Sequence, residues 1–317
     1  MMQFVATTSA GGSVPLGNPV RFSHTANAYS VVSRLEGVFL LPAKEEVLTR
    51  LDAYLDGERF FFGDIARQTR TLGQTGRFLE LSCTGFAGRM LQNQVQPRML
   101  TSYTSNQLYA DYAAPYGTTG NDLPYLETVA SLEVAPGMTA WNVIDVFCRQ
   151  TYGYVPKLTR DGRLTTTLLF DEAHTISNDP AQQAHRYTSI KVHDRRDELI
   201  SKVHIKADNQ DEYDYSGQVS SSFTAKYGIN RERFYKPPKA WKQMPDTAAY
   251  ELIRNSGIRS LEVELLLPEL VWMHPGDFIE FQDDFFYRRD YYVGESTMSC
   301  DARGYLTAVK LWDSFRG

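Results

Sequence analysis

The sequence is poor in cysteine, in long apolar runs and in clustered basic charge. Its 317 residues include three cysteines, Cys83, Cys148 and Cys300. They are far apart and odd in number, so they do not read as a disulfide framework, and no Cys-x-x-Cys spacing suggests zinc. A reduced, intracellular origin is expected. No stretch approaches the roughly 18 apolar residues of a membrane span, so no membrane insertion of its own is expected. The opening "MMQFVATTSAGGSVPLG" lacks a basic start followed by a long apolar core, so it does not read as a signal peptide. The net charge is −5 and no long basic run occurs. Sequence-specific nucleic-acid binding is therefore not expected.

Catalytic signatures are also missing. The string "DEAH" at residues 171–174 matches the label of a helicase box. Such a box works beside a phosphate-cradling loop that carries a Gly-Lys pair, and the chain has no such pair. The string reads as strand-end and loop polars. His174, His185, His193 and His204 follow one another at gaps of 11, 8 and 11 residues. None of these gaps is the helical i, i+4 pair of a zinc protease. His193 and His204 can approach across a hairpin, but no third ligand is evident. Ser30 and Ser33 lack the Gly-x-Ser-x-Gly elbow. Carboxylates pair at Glu45-Glu46, Asp211-Glu212 and Asp283-Asp284. Glycoside hydrolysis needs two carboxyls at a set separation in a cleft. Here polar loops and helix starts explain them by solvation. No catalytic residue, metal site or cofactor is expected.

Aromatics are what the sequence has: 19 Tyr, 17 Phe and 4 Trp. They favour β-structure and large protein interfaces. The length exceeds what one small core needs, so two or three domains are expected. The first third is strand-like, with "PVRFSH", "AYSVVSRLEGVFLLP" and a hairpin turn at Asp56-Gly57. "GRFLELSCTGF" alternates Phe78, Glu80 and Ser82 against Leu79, Leu81 and Cys83, the period of a strand. In the middle, "SNQLYADYAA" predicts a short helix ended by Pro115 and Gly117. Thr139 is the expected N-cap of a second helix. It carries Ala140, Ile144, Phe147, Cys148 and Thr151 on one face and ends at Gly153. A hairpin turned at Asp161-Gly162 follows, and the polar loop "SNDPAQQ" marks a boundary. In the last third, "ELISKVHIKAD" puts Val203 and Ile205 on one face. Asp246 is expected to cap a helix closed by Gly257. In "HPGDFIEF", Pro275 fixes φ at a corner and Gly276 allows the turn. Asp277 there can accept a backbone hydrogen bond, and His274 is left as a strand-end residue with no obvious partner.

The two ends resemble each other. Phe61-Phe62-Gly63-Asp64 recurs as Tyr292-Val293-Gly294-Glu295. From Gly63 to Gly76 is 13 positions and from Gly294 to Gly304 is 10, which a change in loop length explains. Such a repeat fixes architecture early. The expected fold class is α+β, mainly β. Two similar tube-like β-barrel modules, residues 1–85 and 187–317, flank a small mixed α/β domain at 86–186.

Three strings mix rings with charge: "RFFF", "YADYAAPYG" and "FFYRRDYY". Core packing is the plain explanation of all three. The functional one is a protein interface, since Tyr, Phe and Arg are favoured in interface cores. The candidates are Tyr109, Tyr112, Phe285, Phe286, Tyr287, Arg288, Arg289 and Tyr291.

Residues 261–312 resemble the C-terminal barrel of baseplate hub proteins from contractile phage tails, the Mu-type tail protein or late control D-like family. The resemblance lies in the turn Pro275-Gly276-Asp277, the strand with Tyr291-Tyr292-Val293 and the final strand at 306–312. "RFFFGDIAR" with "GRFLELSCTGFAGRML" is similar to the family's first barrel. "TAWNVIDVFCRQTYGY" is similar to its middle-domain helix, and "RRDELISKVHIKA" to the lead into its second barrel. The resemblance implies a non-enzymatic homotrimer in the virion tail baseplate, assembled in the host cytoplasm. Two barrels per chain times three chains would give a six-part ring between a hexameric tail tube and a trimeric central spike. The implied partners are the tube and spike proteins, with wedge and tape-measure proteins beside them. Two alternatives stand: a cell-wall carbohydrate-binding module using Tyr291 or Tyr292, and a tail-associated cell-wall hydrolase using Asp283 and Glu295.

Overall fold

The computed structural model describes residues 1–28, 30–41, 47–74, 76–124, 128–166, 172–206, 211–225, 227–238, 244–283 and 290–313. In chain order its strands are β1 (Met2–Thr8), β2 (Ser13–Pro15), β3 (Arg21–Asn27), β4 (Ser30–Leu40), β5 (Leu48–Leu55), β6 (Glu58–Gly73), β7 (Gly76–Gly85), β8 (Arg98–Thr104), β9 (Gly120–Asn121), β10 (Thr128–Val134), β11 (Lys157–Leu158), β12 (Arg163–Thr165), β13 (Ala173–Ile176), β14 (Ser189–Asp194), β15 (Lys202–Ile205), β16 (Gly217–Ser220), β17 (Glu232–Tyr235), β18 (Leu261–Leu267), β19 (Phe278–Phe281), β20 (Asp290–Asp301) and β21 (Gly304–Trp312). The α-helices are α1 (Gly88–Gln92), α2 (Ser105–Leu108), α3 (Ala140–Tyr152), α4 (Ser222–Ala225) and α5 (Pro245–Ser260). The chain forms two compact units, each discontinuous in sequence. One is Met1–Arg89, Phe170–Ile190 and Glu264–Leu311; the other is Met90–Leu169, Lys191–Val263 and Trp312–Gly317.

One sheet of 13 strands runs β14-β18-β21-β20-β3-β4-β7-β6-β5-β1-β2, with β13 joined through β19 to β20. Period-two burial explains its strands. In β7, Leu79, Leu81 and Cys83 turn inward, and in β1 Phe4 and Ala6 do so. They meet Phe22, Leu35, Phe39, Leu51, Phe60 and Phe61 in one apolar cluster. Phe4 sets its ring edge-on to Phe22 at 5.6 Å and to Phe39 at 5.2 Å. Each fully buried ring of this kind contributes about 1.5–3 kcal/mol. The Asp56-Gly57 turn has φ of 51° and 89°, the positive pair a two-residue hairpin needs.

The mainly β class holds, but the described strands close no barrel. The reason is the far edge of β3, which takes β20 as its neighbour, with Glu295 to Cys300 facing Asn27 to Phe22. Met298 and Cys300 thereby enter the same core as Phe4 and Phe39. Asn27 donates to Glu295 at 2.8 Å, and Thr25 Oγ1 lies 3.1 Å from Thr297 Oγ1. Strands from both ends of the sequence thus share one sheet.

The strand order also repeats. The series β1, β3, β4, β5, β6, β7 is arranged β3-β4-β7-β6-β5-β1. The series β13, β14, β18, β19, β20, β21 is arranged β14-β18-β21-β20-β19-β13, the same permutation. The copies differ where β1 runs antiparallel to β5, whereas β13 runs parallel to β19.

The other unit holds small sheets with helices against them. β8 pairs with β10, β11 and β9 flank β12, and β16 and β17 flank β15. In α3 the Thr139 hydroxyl accepts from the Asn142 amide while the Asn142 side chain accepts from the Thr139 amide. This capping box satisfies two otherwise orphaned donors. Ala140, Val143, Ile144, Phe147 and Cys148 are buried, and Gly153 ends the helix at φ 72°. The segment after Thr104 is one turn of α-helix, then a π-turn at Tyr109–Ala113 and a 3₁₀ turn at Ala114–Tyr116. α5 departs from expectation at both ends. Its N-cap is Met244 with Pro245 in the first turn, and it runs through Gly257 to Ser260. A glycine inside a helix costs about 1 kcal/mol. Packing offsets that here: Ala249 and Ile253 bury against Ile200, Val203, Ile205 and Val219. The Ile200 amide also donates to Ser256 Oγ at 3.1 Å.

Candidate functional site

The corner at residues 274–277 is built by local hydrogen bonds. The His274 amide donates to Asp277 Oδ2 at 2.7 Å, and the Asp277 amide donates to the His274 carbonyl at 2.9 Å. Gly276 takes φ 106°, and its amide donates to Val293 of β20. Asp277 is 1% exposed, and a buried carboxylate is costly unless hydrogen-bonded. Its second partner comes from the "DEAH" string: His174 Nε2 lies 3.2 Å from Asp277 Oδ2. His174 sits on β13, parallel to β19 with Ala173 facing Phe278. Glu172, His174 and Asp277 set ligand atoms within 4.8 Å of one another. A divalent cation accepts such donors, but the corner already gives Asp277 Oδ2 two structural partners. His274 packs edge-on against Trp272 at 6.3 Å. It also lies near His24, which is buried between Phe60 and Phe61. Burial, and then the neighbouring His274, lower the His24 pKa to about 3.

Gly63 is needed by close approach: a Cβ there would lie 2.2 Å from the Thr84 carbonyl oxygen of β7. Asp64, next to it, forms a two-pronged ion pair with Arg89. At the matching place, the Gly294 carbonyl accepts from the Ala28 amide at 2.9 Å.

The candidate interface rings divide. Tyr109 is half-buried, and its hydroxyl donates to the Thr118 carbonyl at 3.2 Å. Tyr112 and Tyr291 are interior rings, 3% and 1% exposed. Tyr112 accepts from Arg98 Nε at 3.0 Å, while Arg98 also donates to Asp111 at 2.8 Å and lies over the Tyr103 and Tyr112 rings. The Tyr103 hydroxyl donates to Asp111; burial and that bond push the phenol well up. Tyr291 meets Phe281 edge-on at 5.7 Å, because alternation along β20 turns it inward. Neither ring is on the surface where an interface would need it. Phe285, Phe286, Tyr287, Arg288 and Arg289 lie outside the described residues.

Asp283 and Glu295, the carboxylates of the hydrolase reading, both have structural partners. Asp283 accepts from Tyr187 Oη at 2.6 Å, Ser177 Oγ at 2.7 Å and the Asn178 amide at 3.3 Å. Its burial works the other way, yet these bonds hold the carboxyl below its usual range. A glycosidase general acid needs the opposite shift. Glu295 accepts from Asn27 and pairs with Lys310 at 3.1 Å.

No protein-family model matches the chain, and no curated protein matches it in sequence. Its fold is similar to solved structures. The tail protein from Neisseria meningitidis MC58 is 14% identical over 98% of this chain and 96% of that one, with a TM-score of 0.74. The 43 kDa tail protein of prophage MuSo2 from Shewanella oneidensis is 12% identical over 100% and 98%, with a TM-score of 0.76. The c3393 protein of E. coli, a type VI secretion component similar to T4 tail proteins gp27 and gp5, is 10% identical over 94% and 74%, with a TM-score of 0.57. The chain therefore has the fold of phage tail proteins, in keeping with the resemblance read from its sequence.

Proposed function

We propose that this chain is a structural hub in the baseplate of a contractile phage tail or a related injection device. The observation that carries this is the match of the whole fold, over nearly the full length of both chains, to two tail proteins. In this reading two tube-like modules, at 1–85 and 187–317, flank a middle domain at 86–186. Three chains then supply six similar positions, a ring that adapts a hexameric tube to a trimeric spike. The partners are the tube protein, the central spike, and the wedge and tape-measure proteins. The chain works in the virion tail after assembly in the host cytoplasm, and it does no chemistry of its own. The repeated strand order supports two equivalent positions per chain. Closed rings need two different surfaces that meet around the axis. Electron microscopy of the purified chain with its spike protein tests the reading: three-chain rings are expected. Lytic activity abolished by Asp283→Ala would overturn it in favour of a hydrolase.

A further inference from the structure

We propose that Lys157 and Arg254 together hold a small oxyanion of the phosphate class against one side of α5. The site lies within a single compact unit and is independent of ring formation. Along α5, Thr247, Glu251 and Arg254 follow one another at four and three residues, the spacing of one helix face. The chain that leaves α3 starts along this face. At Gly153 an added Cβ would lie 2.8 Å from Met244 Sδ and 3.0 Å from Thr247 Cγ2. Four residues of chain span at most about 13 Å, and seven helical residues rise about 10 Å. Lys157, the first residue of β11, thus reaches from the level of Thr247 to that of Arg254.

Two cations share one carboxylate there. Arg254 Nη2 donates to Glu251 at 2.9 Å, which orients the guanidinium. Arg254 Nε is buried and has no hydrogen-bond partner among the described residues. Among the same residues no acceptor pairs with the Lys157 ammonium. Burial of the lysine, and then the neighbouring Arg254, lower its pKa to about 8, while Glu251 works the other way. The ammonium is therefore held charged at a cost that no protein acceptor offsets. A buried donor left unmade is costly as well. One oxyanion meets both needs. It accepts from the guanidinium N–H and takes the ammonium as a point charge, in charge-assisted bonds.

Trace acetylation of the full chain, read lysine by lysine by mass spectrometry, tests this. Without phosphate, the reaction of Lys157 is expected to reach half its maximal rate near pH 8. Millimolar inorganic phosphate at matched ionic strength is expected to raise that midpoint and to slow Lys157 about tenfold at pH 8, since the ammonium is then paired. The other lysines are expected to keep their rates. Phosphate is also expected to raise the urea midpoint more at pH 7 than at pH 9, because it binds the folded, protonated site. Lys157→Met is expected to remove that effect, and Arg254→Lys, which keeps the charge but lacks Nε, to weaken it. Glycerol 2-phosphate as a second probe separates two sources. Protection by inorganic phosphate alone assigns the site to the free ion, and protection by both extends it to phosphate monoesters; either result upholds it. Equal labelling of Lys157 with and without both probes would overturn the site. So would a Lys157 that labels as an ordinary lysine from the outset.

Discussion

His24 is the residue whose titration is most exposed to test. Its folded pKa is depressed to about 3 from 6.5. A histidine held neutral in the fold leaves stability intact above pH 6.5. Below that value the unfolded chain takes up a proton that the folded chain refuses. Stability is then lost by about 1.4 kcal/mol per pH unit as the pH falls toward 3. Urea midpoints at pH 7 and pH 5 are expected to differ more for the wild type than for His24→Phe, whose ring suits the Phe60 and Phe61 surroundings. Equal differences would show that His24 is not the group responsible. Gly63→Ala makes a second prediction. Its Cβ would collide with the Thr84 carbonyl, so a loss of about 1–3 kcal/mol is expected in urea unfolding, the range of overpacked core sites. Pro275, Gly276 and Asp277 were legible as a turn because a turn is local chemistry. His174 as the partner of Asp277 was not, since 103 residues separate them and neither string carries a sign of the other.

At the level of elements, what could be read was what is encoded nearby. The Asp56-Gly57 and Asp161-Gly162 turns, and the Thr139 and Gly153 ends of α3, depend on a few adjacent residues. Thr139→Ala is expected to cost about 1 kcal/mol, the usual loss on removing a hydroxyl cap; thermal melts would show it as a lowered midpoint with unchanged helix content. α5 was misread at Gly257 because tertiary burial of Ala249 and Ile253 decides its length, and a helix breaker only biases it. The inward turn of Tyr291 follows from alternation along β20, with Val293 on the same buried face. A ring-rich string alone did not say which rings face the core.

For the molecule as a whole, the likeness of the two ends was visible in the glycine-acid pairs, but their joining was not. β20 and β3 lie 268 residues apart at the Glu295–Asn27 contact, and only the sheet shows that both ends share one surface. The strand order then makes a stronger case for equivalence than the short sequence repeat does. In the proposed reading, a chain whose strand order repeats supplies two equivalent positions and closes a ring with copies of itself. Native mass spectrometry of the purified chain across a concentration series, from low ionic strength upward, tests this most directly. A closed species of three chains that gains no further copies as concentration rises is the expected result. A chain that remains single throughout, or one that grows without limit, would contradict it.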